Sequence, residues 1–149
     1  MLLYHGTNAE NLPQILSKGI KPRSFKPGNW EKFPSRQDMV YLTSTYPLFF
    51  ACQSSNCRKA AVIEVDVEQL RINRFYPDED FISQVAIHKL HQKLENIHLS
   101  IRDNIEEYKQ YWEESLKSMG NCCYKGLIPP RAITRYVTID LESRTTLCM

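Results

Sequence analysis

A short apolar run that ends in His-Gly-Thr and passes at once into an amphipathic segment is what most limits the folds open to this chain. Leu2-Leu3-Tyr4-His5-Gly6-Thr7 reads as a buried strand. Asn8 follows as an N-cap, Leu12, Ile15 and Leu16 share one helical face, and Gly19 stands where a left-handed C′ residue ends a helix. Such a strand delivers His5 to the mouth of a cleft. Gly6, with no Cβ, allows the backbone to come close to a ligand, and Thr7 adds a hydroxyl. An ordinary strand, turn and helix with a surface histidine is compatible with the same residues, so the rest of the chain has to discriminate.

At 149 residues the chain fits one domain, 1–149, large enough for a single core. Pro22, Pro27, Gly28 and Pro34, without period, predict a surface loop up to Asp38, of the length that often serves as a lid or binding loop. Trp30 within it is either tucked on the core or a ligand contact. Met39 to Thr43 is the next strand, Ser44-Thr45 a cap, and Pro47 opens a helix carrying Leu48, Phe49, Phe50 and Ala51. Tyr41 therefore sits on a strand close to its exit into a helix.

Ala61 to Val67 alternates, with Ala61, Ile63, Val65 and Val67 inward and Glu64 and Asp66 as solvated face charges. Tyr76-Pro77-Asp78-Glu79-Asp80-Phe81 has two readings. Acidic residues favour the positive end of a helix, here one with Ile82, Val85, Ala86, Lys89, Leu90 and Leu94. Three consecutive acids also raise one another's proton affinity, so one can serve as a base. Helical spacing runs from Phe81 to Met119 through Ile97, Ile101, Ile105, Tyr108, Trp112 and Leu116, with a break expected near 100–104 and a stop at Gly120. Asn121 to Tyr124 and Tyr136 to Leu141 return to strand, with a proline turn at Gly126-Leu127-Ile128-Pro129-Pro130. This order predicts an α+β fold, not a doubly wound one.

A formal charge of +2 gives no bulk drive toward nucleic acid or anionic membrane. No basic leader and no window of about 20 apolar residues is present, so no membrane association is expected. The cytosol, of its own cell or of a host, is the expected compartment. Five cysteines, an odd number without framework spacing, fit a reducing environment. Cys52, Cys57, His88 and His91 do not form sensible zinc ligand pairs, and no metal is expected.

Taken together, His5-Gly6-Thr7, the helix to Gly19-Ile20, Val40-Tyr41-Leu42-Thr43 before a helix, and the late Gly126 to Pro130 turn make the chain resemble the ADP-ribosyltransferase superfamily. The resemblance is to its branch with a histidine and a tyrosine as first and second signature residues, shared by poly(ADP-ribose) polymerases and diphtheria-toxin-like enzymes. It implies a split antiparallel sheet, with the helical segment of about 81–119 as an insertion.

The resemblance implies NAD as co-substrate. His5 would bind the adenosine-side ribose, the Gly6 backbone the nicotinamide carboxamide, and Thr7 would support that corner. Tyr41 would stack on the nicotinamide, with Thr43 facing the same cleft. Nicotinamide would leave through an oxocarbenium-like state, and an acceptor of unidentified kind (protein, nucleic acid, small molecule or water) would then attack. The family's third signature, a glutamate near the late strand, is missing: the comparable position falls near Asn121, and no acid lies between Gly120 and Asp140. Asparagine can hydrogen-bond a hydroxyl but brings no charge. Glu79 and Asp80 are the expected substitutes, and the expected activity is mono-ADP-ribosyl transfer or NAD hydrolysis. Two other readings remain open. One is a nucleotide- or protein-binding pseudoenzyme; the other is RNA 2′-phosphotransfer, which needs arginines such as Arg23, Arg36, Arg131 and Arg135 to converge.

Overall fold

The computed structural model describes residues 1–22, 36–55, 58–90 and 105–141, with side chains described up to Gln84 in the segment that ends at Leu90. The fold is α+β. Its strands are β1 (Leu2–Asn8), β2 (Met39–Thr43), β3 (Lys59–Asp66), β4 (Phe75–Pro77), β5 (Asn121–Lys125) and β6 (Ile133–Asp140). They form one six-stranded sheet in the order β4-β5-β2-β1-β3-β6, antiparallel throughout. Among the described residues four α-helices accompany it: α1 (Leu12–Lys18), α2 (Pro47–Ser54), α3 (Glu79–Leu90) and α4 (Trp112–Met119). Among the described residues no helix is long and apolar enough to cross a membrane.

Pairing within the sheet is uneven. β1 matches β3 along its length, from Leu2–Asp66 to Asn8–Ala60, and β2 matches β5 from Met39–Lys125 to Thr43–Asn121. Between β1 and β2 only Tyr4 and Thr43 pair. Two three-stranded halves, β4-β5-β2 and β1-β3-β6, are thus joined at a single residue pair, which is the split that the resemblance implied.

Paired residues in an antiparallel sheet share a face, and neighbours along a strand alternate. One face carries Leu3, Val40, Leu42, Ile63, Val65, Phe75, Cys122 and Tyr124, covered by Leu12 and Ile15 of α1 and by Trp112 of α4. Burying each large side chain contributes roughly 1.5–3 kcal/mol, so this face supplies most of the driving force. The other face is covered in two patches, Ala51 of α2 over Ala60 and Val62, and Ile105 with Met39, Tyr76 and Cys123.

Several local expectations are corrected. Asn8 accepts a hydrogen bond from the Glu10 N–H and caps a 3-10 turn over Ala9–Asn11, so α1 starts only at Leu12. Leu16 is exposed whereas Leu12 and Ile15 are buried, because seven residues make too short a helix to bury a wide stripe. Helix α3 starts at Glu79 with Glu79 and Asp80 in its first turn, the acidic entry that the sequence predicts, whereas Ile105–Tyr111, expected as α-helix, is 3-10 before α4 takes over. The break predicted near 100–104 lies outside the described residues. Glu64 is buried, not solvated, because the register sets it beside Tyr4 and Arg135; it accepts from Thr134 Oγ1 at 2.7 Å and pairs with Arg135 at 3.1 Å.

Candidate functional site

β2 presents Tyr41 on the face away from the main core, where β4 ends at Pro77 and the chain turns through Asp78 into α3. That turn lays Glu79, the first residue of α3 and only 5% exposed, on the tyrosine. The Tyr41 hydroxyl donates to the Glu79 carboxylate, with Oε1 at 2.8 Å and Oε2 at 2.9 Å, and accepts from the Arg36 backbone N–H at 2.9 Å. The Arg36 guanidinium forks onto Asp38 at 3.0 and 3.3 Å.

Electrostatics follow from the burial. Desolvation pushes the Glu79 carboxyl upward, reinforced by the charge of Asp80 and opposed by the Tyr41 hydrogen bond and Arg36. Tyr41 is held well above its ordinary value, chiefly by burial and then by its anionic surroundings, which include Glu79 and Asp78. Asp78 is half-buried and pushed up to about 7 by desolvation, Glu79 and Asp80. Asp78 therefore exchanges its proton near neutrality, while Glu79 is the acceptor of the Tyr41 hydrogen bond.

The start of β5 is gripped from two sides. Thr43 Oγ1 donates to the Gly120 carbonyl at 2.8 Å and accepts from the Thr45 and Tyr46 N–H groups at 3.1 and 3.0 Å. Thr43, not Ser44 or Thr45, is thus the hydroxyl that serves the turn into α2. From α4, Ser115 Oγ accepts from the Asp78 N–H at 2.9 Å and donates to the Asn121 carbonyl at 2.7 Å. The Asn121 side chain shares its face with Thr43 and Tyr41, and its Oδ1 is buried with no hydrogen-bond partner among the described residues. Leaving such an atom unpaired costs about 1–3 kcal/mol, and an oxygen in that state fits an incoming N–H or O–H donor.

The predicted residues are not all brought together. His5 Nδ1 lies 3.0 Å from the Tyr41 carbonyl oxygen, across the split. Alternation from the Tyr4–Thr43 pair sends the two side chains to opposite faces, so the expectation that imidazole and phenol meet across one crevice is corrected: they are linked through the β2 backbone. Gly6 is required for another reason than ligand approach, since a Cβ there would come within 2.3 Å of the Ala51 N in α2. Thr7 is buried and accepts from Asn11 Nδ2 at 3.1 Å. Asp80 is exposed, with its N–H on Asp78 Oδ1 at 2.9 Å.

Ser115 and Asp38 were not singled out from sequence as parts of the site, because neither carries a local pattern distinct from helix surface or loop; Asp78 was read only as one of three acids in a cluster and Arg36 only as an arginine for phosphotransfer. The described arginines do not converge: Arg36 pairs with Asp38, Arg135 with Glu64 two strands beyond the split, and Arg131 is exposed. Arg23, Trp30, Cys57 and His91, and the side chain of His88, lie outside what is described.

No protein-family model matches the chain, and no curated protein does. Among solved structures it is similar to one named EcPltA, with 10% identity over 92% of this chain and 74% of that chain, at a TM-score of 0.49. That likeness is distant.

Proposed function

We propose that this chain is an NAD-dependent mono-ADP-ribosyltransferase or NAD glycohydrolase in which Tyr41 and Glu79 act as a unit. The observation that supports this most is the partly buried hydrogen bond between the Tyr41 hydroxyl and the Glu79 carboxylate, near the residue pair that joins β1 to β2. The chemistry implied by the resemblance needs one anionic group close to a ribose that gains positive charge as its bond to nicotinamide breaks. With an asparagine at 121, Glu79 is the carboxylate that β4 and α3 bring to the signature tyrosine. Opposite charges about 4 Å apart interact by roughly 4 kcal/mol at an effective dielectric of 20, enough for a large rate effect if it is gained in the transition state.

In this reading the electron pair of the ribose–nicotinamide bond leaves with nicotinamide, the acceptor oxygen or nitrogen attacks the same carbon, and the acceptor proton passes to a base. The buried Asn121 Oδ1 fits a ribose hydroxyl as donor. His5, on the split, is the remaining side-chain candidate for contact with NAD, with Asp80 at the rim, while Gly6, Thr7 and Thr43 shape the backbone around it. Nicotinamide release from NAD by wild type, Tyr41→Ala and Glu79→Gln tests the proposal: wild type releases it and both variants fall toward background. Equal background rates in all three overturn it.

The opposite-face placement of His5 and Tyr41 favours a second reading, a module that binds the nucleotide without turnover. Its signature is quenching of tryptophan fluorescence by NAD in a wild-type protein that releases no nicotinamide.

A further inference from the structure

We propose that Ser115 is a positioning residue for the Tyr41–Glu79 pair, acting by bridging the backbone that leads into α3 to the first residue of β5; for catalysis this rests on the function proposed above. A serine inside a helix ordinarily points to solvent or bonds a carbonyl of its own helix. Ser115 does neither. It is 0% exposed, accepts from the Asp78 N–H, and donates to the Asn121 carbonyl.

The Asp78 N–H is one of the donors that the start of α3 cannot satisfy within its own helix. Fixing it fixes the next residue, since consecutive Cα atoms are about 3.8 Å apart. That next residue is Glu79. The other end of the bridge holds β5 at Asn121, which pairs with Thr43, while Tyr41 pairs with Cys123 two residues along the same strands. One hydroxyl thus sets the distance between the carboxylate's backbone and the strand pair that carries the phenol. The amide of Asn121 hangs from the same anchored residue, so the bridge also places the unpartnered Oδ1 relative to Glu79.

The test compares wild type, Ser115→Ala, Ser115→Thr and Tyr41→Phe. Tyr41→Phe assigns the Tyr41 signal in the carbon NMR spectrum of protein labelled with 13Cζ tyrosine. In Ser115→Ala that signal is expected to move upfield at neutral pH, because the phenol has lost the carboxylate acceptor that draws on its proton, and Ser115→Thr, which keeps the hydroxyl, restores it. In nicotinamide release, Ser115→Ala is expected to lose about 10- to 100-fold in kcat with KM for NAD within about twofold, the pattern of a misplaced reacting group. Should the alanine variant unfold, Ser115→Cys, close in volume with a weak donor, is expected to show the same shift.

An unchanged Tyr41 signal in folded Ser115→Ala or Ser115→Cys overturns the positioning role and leaves the transferase reading standing. An upfield shift in a protein whose wild type never releases nicotinamide supports the positioning role and overturns the transferase reading.

Discussion

The Tyr41 hydroxyl and the Glu79 carboxylate meet at 2.8 and 2.9 Å although 38 residues separate them in the chain. Both side chains are held by elements of the same half of the sheet, and the contact is shielded by burial. Glu79→Gln keeps the volume and an acceptor oxygen but removes the charge. Its kcat in nicotinamide release is expected to fall about 100-fold, in the range seen when one electrostatic stabiliser is lost, with NAD affinity retained. Asp80→Asn, at an exposed position, is expected to change kcat by less than about twofold.

The acidic cluster makes stability fall as pH rises. Asp78 has a folded pKa pushed up to about 7 against an ordinary 3.8, so between those values the folded state binds more protons than the unfolded state. Stability is therefore highest below about pH 4 for this group and declines up to about pH 7. Glu79 shifts in the same direction. Asp78→Asn retains an acceptor for the Asp80 N–H and cannot ionise. Chemical denaturation is expected to show this variant more stable than wild type at pH 8, by a few kcal/mol at most, with the gap closing near pH 4.

Gly6→Ala tests whether this position serves packing. Its Cβ would stand 2.3 Å from the Ala51 N and 2.8 Å from the Ala51 Cα, both backbone atoms of α2. Overpacking of this kind costs about 1–3 kcal/mol, and the melting temperature is expected to drop accordingly. An unchanged melt would mean that α2 shifts freely away from β1.

Asn121→Leu separates apo stability from ligand recognition. Removing a buried oxygen that has no partner among the described residues is expected to stabilise the ligand-free protein, by about 1–3 kcal/mol if the leucine packs. The same change is expected to abolish the thermal shift that NAD produces in wild type. A variant that loses stability and keeps the shift would show that Oδ1 has no part in binding.

His5→Ala removes a link across the split. Loss of the contact between Nδ1 and the Tyr41 carbonyl is expected to cost about 0.5–1.5 kcal/mol and to speed amide hydrogen exchange where β1 and β2 diverge. Faster exchange confined to β6 would place the effect elsewhere.

Alternation and punctuation in the sequence determined the elements: Leu2 to Thr7, Val40 to Thr43 and Ala61 to Val65 carry strand periodicity, Pro47 starts a helix, and Gly19 and Gly120 stop two more. These signals are local, so the α+β class, the tyrosine strand and an acidic helix start could be read from residues a few positions apart. Tertiary structure alone decided how the elements meet. Which face His5 shows relative to Tyr41 depends on one pairing, Tyr4 with Thr43, and a shift of one residue would invert it. Glu64 became a buried partner of Arg135, Gly6 a contact for α2, and Ser115 a bridge between α3 and β5 for the same reason. A strand's own sequence fixes which residues alternate, whereas register and packing between distant segments come from the summed burial of the whole core, which no short window contains.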